Sequence, residues 1–302
     1  MGRLRGKHVG RRVGKHQGSA RRNGLRKALA LLAVLLPLAG APLQAGGGLV
    51  ALDRSGEMMG WEAVGRLDMA QKGFCTGVLI ASDLVLTAAH CVTEVGGDAP
   101  VAASRLRFRA GYRNGKSVAE RDVARVVIAE GYVQQAGGSI TGDMVRRDVA
   151  LLRLSARIST SIAAPFRVME KAGPGDRVSV TSYGRGREEV LSRQRECQIT
   201  NRTSGLFMFD CEVTFGSSGA PVFVAYGNRA RILSLVSGIG TNSKGESRAF
   251  GMELPKTVER LQARMRVGDS PVVAPSQGAK RIKVNSGRGA GSAAGGAKFI
   301  RP

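Results

Sequence analysis

Between residues 50 and 267 the apolar positions fall in short runs that cluster or alternate with period two. Examples are "GVLI", "LVLTAA", "RLRFRAGY", "ARVVIAE", "VALLRL", "RVSVTSYG", "GLFMFDCEV", "PVFVAY", "RILSLVSGI" and "RAFGME". Gly, Pro, Asn and Asp separate them at short intervals, the punctuation of a sandwich or barrel built from many strands. One stretch breaks the rule. Pro255 can occupy the first turn of a helix on which Val258, Leu261 and Met265 share a face. The pattern predicts an all-β body closed by a C-terminal helix, with no internal repeat, coiled coil or nucleotide-binding loop.

The two ends of the chain read differently. Ten Lys/Arg and no acid occupy residues 1–27, and "ALALLAVLLPLAGAPLQA" follows from Ala28. A basic region, a short apolar run and small residues before a cleavage point near Ala45 describe an export signal. Pro37 and Pro42 interrupt the run, which is too short for a membrane span. Its "SARRNGLRK" carries the paired arginines of twin-arginine export. Residues 268–302 are rich in Gly, Ala and Ser, basic, and expected to be disordered. The expected boundaries are therefore a signal peptide at 1–45, a body, and a tail from 268.

Charge matters only after it is mapped. The formal net charge of +23 resembles that of a nucleic-acid binder. Residues 1–27 and 271–302 hold sixteen of the 46 basic residues, which leaves thirty between 28 and 270 against all 23 acids. The body is mildly basic, so no nucleic-acid partner is expected, and membrane contact is expected only transiently through the signal.

Four cysteines, Cys75, Cys91, Cys197 and Cys211, suit an exported chain and allow three pairings. The local solution, Cys75–Cys91 with Cys197–Cys211, closes two short loops worth roughly 3 kcal/mol each in the chain-entropy account. Metal ligation is the rival. It is weakened by the lack of any Cys-x-x-Cys pair, and no metal or other cofactor is expected.

Beyond the signal, which holds His8 and His16, the chain has one histidine, His90, at the end of an apolar strand and beside Cys91. A general base needs a rigid mount, and it needs a carboxylate on its second ring nitrogen to fix the tautomer. Asp148, which opens "DVALLRL", is the best-placed carboxylate; Asp143 and Asp122 lie in more polar surroundings. In "TFGSSGAP" a serine hydroxyl with such a base becomes a nucleophile. Gly216 and Ser218 would offer N–H groups to a developing oxyanion.

"LTAAHC", "DVALLRL" and "GSSGAP", in the order His, Asp, Ser, resemble the signatures of the trypsin/chymotrypsin-like serine proteases. "GFCTGVLI" resembles the strand whose cysteine pairs with the one after the histidine, which implies Cys75–Cys91. The resemblance implies two antiparallel six-stranded β-barrels with a C-terminal helix, the N-terminal one over 46–160 and the other over 161–267. It implies His90 as general base, Asp148 as its orienter, Ser218 as nucleophile, and Gly216 with Ser218 as the oxyanion hole. Cys197–Cys211 would then staple a hairpin behind the nucleophile loop.

Two departures stand out. Animal relatives carry an aspartate before the nucleophile, which pairs with a newly cut N-terminus; here Ser217 stands there, as expected of a bacterial, glutamyl-endopeptidase-like branch that needs only signal removal. Glu212 lies six residues before Ser218, where trypsin has its pocket-floor aspartate. Buried, it would favour Arg or Lys side chains; pointing outward, it would not. Ser237, Gly238, Ile239 and Gly251 are the expected pocket wall and back.

The expectation is a periplasmic or secreted monomeric serine endopeptidase acting on polypeptides, with activity falling as the imidazole protonates. A catalytically latent, protease-like binding protein of the cell envelope is the alternative from another class. Polycation-mediated binding to an anionic polymer rests on the two tails alone.

Overall fold

The structure is a computed structural model. It describes residues 48–267, apart from 71–72, 136–139, 170 and 243, and the backbone of 297–299. The export signal expected at 1–45 lies outside the described residues.

The first half opens with β1 (Val50–Ala51) and a helical turn, α1 (Ser55–Met58). Then come β2 (Val64–Met69), β3 (Gly73–Ala81), β4 (Leu84–Thr87), β5 (Leu106–Ala110) and β6 (Ala119–Ile128). A short helix, α2 (Gly142–Arg147), precedes β7 (Ala150–Leu154). Six of these strands close a barrel in the order β2-β3-β4-β7-β6-β5, antiparallel throughout. Sequence alternation explains its interior. In β5, Leu106, Phe108 and Ala110 point inward while Arg107 is exposed and Arg109 pairs with acids at the rim. Leu67 and Leu152 share that inward face, while Val78, Leu86 and Leu151 are buried on the opposite face of the same strands, and each buried aliphatic contributes about 1.5–3 kcal/mol.

The second half contains β8 (Arg177–Gly184), β9 (Arg187–Thr203), β10 (Leu206–Phe209) and β11 (Pro221–Val224). It continues through β12 (Arg231–Leu235), β13 (Gly238–Thr241), β14 (Ser247–Met252) and α3 (Pro255–Val267), and a last strand, β15 (Ala297–Phe299), returns to it. Strand order is β12-β11-β8-β9-β10-β14-β13-β15, with β1 on β9. The second barrel expected over 161–267 is therefore an open, curled sheet rather than a closed ladder. Its β12 and β14 meet through a side chain. The Ser234 hydroxyl donates to Met252 O at 2.8 Å and accepts from Met252 N at 2.9 Å. Gly251 makes this approach possible, because a Cβ there would lie 2.3 Å from Ser234 Oγ and 2.4 Å from Leu235 O.

The expected helix forms as α3, with Val258, Leu261 and Met265 buried. It packs on the first barrel, where Arg264 donates to Ile128 O at 2.7 Å and Arg125 donates to Met265 O at 2.9 Å. Aromatic rings tie the halves further: Phe166 and Phe223 stand 4.6 Å apart, with Trp61 edge-on to Phe223 at 5.2 Å. Of the basic tail, the described residues Ala297–Phe299 pair antiparallel with β13, Phe299 opposite Gly238. No helix among the described residues is long and apolar enough to cross a membrane.

Candidate active site

β4 delivers His90. Its apolar run ends at Thr87, and the next residues tighten into a 3-10 turn, Ala89–Val92, that buries the imidazole. The Cys75–Cys91 disulfide fastens this turn to β3. Asp148 caps the C-terminal end of α2, just before β7, and is fully buried. A buried carboxylate needs donors, and three supply them. His90 N lies 2.8 Å from Oδ1, His90 Nδ1 lies 2.7 Å from Oδ2, and the Ser237 hydroxyl donates to Oδ2 at 2.5 Å. A neutral ring that donates from Nδ1 presents Nε2 as a proton acceptor.

The two glycines of "GSSG" are demanded by the backbone. Gly216 has φ +90° and Gly219 has φ +74°. A Cβ on Gly216 would meet the Phe74 ring at 2.3 Å, and one on Gly219 would lie 2.2 Å from Thr87 Oγ1 and 2.4 Å from Thr76 O. The second contact sets the Ser218 loop against the end of the strand that leads to His90.

The two serines have different surroundings. Ser217 turns inward, where its hydroxyl donates to Tyr183 O at 3.2 Å and accepts from Arg187 Nη2 at 3.0 Å and Thr214 N at 3.3 Å. Ser218 is also buried, and its carbonyl accepts from Thr76 N at 2.9 Å while Gly219 N donates to Val236 O at 2.8 Å. One residue after Val236 stands Ser237, on the carboxylate of Asp148. Short links thus connect the Ser218 loop to the segments that hold His90 and Asp148.

Thr76, which sequence reasoning did not single out, is a junction. Its hydroxyl donates to Gly216 O at 2.9 Å and accepts from Tyr183 N at 3.1 Å, and its own carbonyl accepts from Thr87 Oγ1 at 2.8 Å. The only signal was its place directly after Cys75. Arg187 was also missed. Burial pulls its guanidinium down to about 10, well below the ordinary arginine range, and Glu188 and Glu212 partly oppose that shift. Burial likewise pushes the Tyr183 phenol well above its usual range.

The expected pocket residues separate. Glu212 is exposed and faces the N-terminal segment, with Leu49 N 3.4 Å from Oε2, so it takes the outward orientation and forms no buried pocket floor. Its N–H is satisfied by Gln194 Oε1 at 2.7 Å, which fixes that direction. Ser237 is engaged by Asp148, and Gly251 faces Ser234 and Leu235. Gly238 and Ile239 lie on β13, between β14 and β15. Both expected disulfides are present, Cys75–Cys91 and Cys197–Cys211. Cys75, His90 and Cys91 cluster closely enough to suggest a metal site, but both sulfurs are bonded to each other and offer no thiolate.

The family description "trypsin-like peptidase domain" matches residues 75–229. Mouse (Mus musculus) serine protease 23 is 29% identical over an alignment of 171 residues that covers 50% of this chain and 43% of that protein. The chain thus spans less than half the length of this curated relative. Among solved structures, a Glu endopeptidase superposes with a TM-score of 0.60 at 15% identity, covering 74% of this chain and 98% of that one. The thermostable serine protease AL20 from an extremophilic microorganism gives 0.55 at 18% identity, covering 68% and 98%. Protease Anisep from Arthrobacter nicotinovorans gives 0.53 at 18%, covering 66% and 93%. At these identities the structures establish the fold.

Proposed function

This chain belongs to the trypsin-like peptidase family, a class of serine-type endopeptidases, and on that premise we propose that it is an exported enzyme cleaving peptide bonds through an acyl-enzyme. His90 acts as general base, Asp148 as its orienter and Ser218 as nucleophile. As Ser218 Oγ attacks the scissile carbonyl carbon, its proton passes to His90 Nε2, and the carbonyl π electrons move onto oxygen. The N–H groups of Gly216 and Ser218 receive that oxyanion. Collapse expels the amine, which takes the proton from His90. Water then repeats the sequence on the ester and frees Ser218.

The observation that carries this reading is the double contact of His90 with a fully buried Asp148, at 2.8 Å and 2.7 Å. It fixes both the ring and its tautomer. Polypeptide substrates follow from the family. The ability of β13 to take a further antiparallel strand, as it does with Ala297–Phe299, supports an extended peptide beside Ser237. Two disulfides support export to a periplasmic or secreted location, and the protein is taken to act as a monomer.

A serine-directed phosphonate applied to the chain from about residue 46 is the test. Modification at Ser218, absent in Ser218→Ala, together with a fall in kcat of about a million-fold in that variant, is expected. A folded, unlabelled and inert wild type would defeat the proposal and return the protein to a binding role.

A further inference from the structure

Resting on the peptidase reading above, we propose that Arg187 is the positioning residue that sets the oxyanion-forming loop, in place of an ion pair with a cut N-terminus. The residue before the nucleophile is Ser217, which carries no charge for such a pair. Its hydroxyl instead accepts from Arg187 Nη2 at 3.0 Å. The same guanidinium donates to Ser182 O at 2.5 Å and to Ser182 Oγ at 2.9 Å. All three acceptors are neutral, and among the described residues no carboxylate lies within ion-pair distance of Arg187. Glu188 and Glu212 act on it only through space.

A largely buried cation without a direct counter-ion destabilises the fold. A placement of that kind is explained by what it holds. Arg187 begins β9, and residues 184–187 grip the nucleophile loop at three positions. Arg185 N donates to Phe215 O at 2.7 Å, and the Arg185 guanidinium lies over the Phe215 ring at 4.1 Å. Gly184 lets Thr214 and Arg187 crowd together, since a Cβ there would stand 2.7 Å from Thr214 Cγ2 and 2.6 Å from Arg187 Nη2. Ser217 is the third position. The bond to Phe215 O fixes the plane of the peptide whose N–H belongs to Gly216, Ser217 O accepts from Ala220 N at 3.0 Å in the peptide that carries the Ser218 N–H, and the grip on Ser217 Oγ anchors the residue between them. These donors act on charge that exists only in the transition state, so loosening them lowers kcat and leaves substrate binding intact.

The experiment compares wild type with Arg187→Met, Arg187→Lys, Ser217→Ala and the Arg187→Met/Ser217→Ala pair, all in the chain from about residue 46. A misplaced donor of this kind costs about tenfold to a hundredfold. Arg187→Met is expected to lose that much in kcat with KM within about twofold of wild type. Arg187→Lys, which keeps the charge without the fork, should recover part of the loss. Ser217→Ala should lower kcat in the same way, and the pair should be no worse than Arg187→Met alone. Tetrahedral boronate inhibitors should weaken by the same factor as kcat.

Folded variants with wild-type kcat, losses carried by KM, or additive losses in the pair would each overturn the inference. If Arg187→Met does not fold, Ser217→Ala decides through the same split between kcat and KM. A wild type that is itself unlabelled by phosphonate defeats the peptidase reading. A labelled, active wild type matched by its Arg187 variants defeats only this inference.

Discussion

The two halves of the site are held in contrasting ways. His90 and Asp148 sit at strand ends of a closed barrel, and the pair is fixed by two hydrogen bonds backed by a disulfide. Ser218 sits on an irregular loop of an open sheet. Its conformation depends on two left-handed glycines, on Thr76 reaching across from the barrel, and on Arg187 beneath Ser217. His90 is held by a carboxylate and a disulfide on a closed barrel, and the Ser218 loop by left-handed glycines and hydrogen bonds that reach it from distant strands. Damage to the first half should therefore strike the chemistry alone, whereas damage to the glycines of the second should mix chemistry with stability.

The largest expected effect probes the first half. Asp148→Asn keeps the shape of the carboxylate but favours the wrong tautomer of His90, and kcat should fall about ten-thousand-fold with the fold retained by circular dichroism. A loss below about tenfold would place the orienting role elsewhere. Gly219→Ala attacks the second half. Its φ of +74° and the 2.2 Å approach to Thr87 Oγ1 should cost about 3 kcal/mol in denaturant unfolding, with activity lost in parallel. An alanine tolerated without cost would show that the loop adapts.

Arg187→Met sharpens the contrast, because activity and stability should part. Removing a buried charge favours the fold, and stranding the acceptors on Ser182 and Ser217 opposes it. Calorimetry should find stability unchanged or about 1 kcal/mol higher while kcat falls.

The smallest effect concerns alkaline stability. Burial raises the Tyr183 phenol above its unfolded value, so its contribution is complete below about pH 10 and declines as pH rises beyond it. Tyr183→Phe should remove that decline, seen as a shallower alkaline limb of the unfolding free energy. At neutral pH the lost bond to Tyr112 O should cost about 1 kcal/mol. Burial depresses Arg187, which acts with the opposite sign: above about pH 10 its contribution rises with pH.

Sequence patterning located the strongly apolar strands β4, β7, β11 and β12 and the helix α3, because each buries a face that the side chains spell out. It passed over β9, the longest strand at 17 residues. There "REEVLSRQRECQITNRT" buries polar residues such as Ser192 and Gln194 beside Leu191 and Cys197, so no apolar period emerges. The six-residue α2 was too short to show a helical face. The His90–Asp148 contact was legible because each residue lies within a local motif, as does Ser218. Thr76, Arg187 and the role of Ser237 were not. Their contacts span 140, 30 and 89 residues, and exist only once the chain has folded.

The seating of Gly219 against Thr76 and Thr87 has a mechanical consequence. The segment bearing Ser218 serves as the bolt between the two lobes, with no room for slack at the point of contact. Pulling the lobes apart would withdraw the bolt and dismantle the proposed reaction centre in one movement. Turnover would therefore report the integrity of the seam, and heating should extinguish activity no later than the first loosening of the lobes.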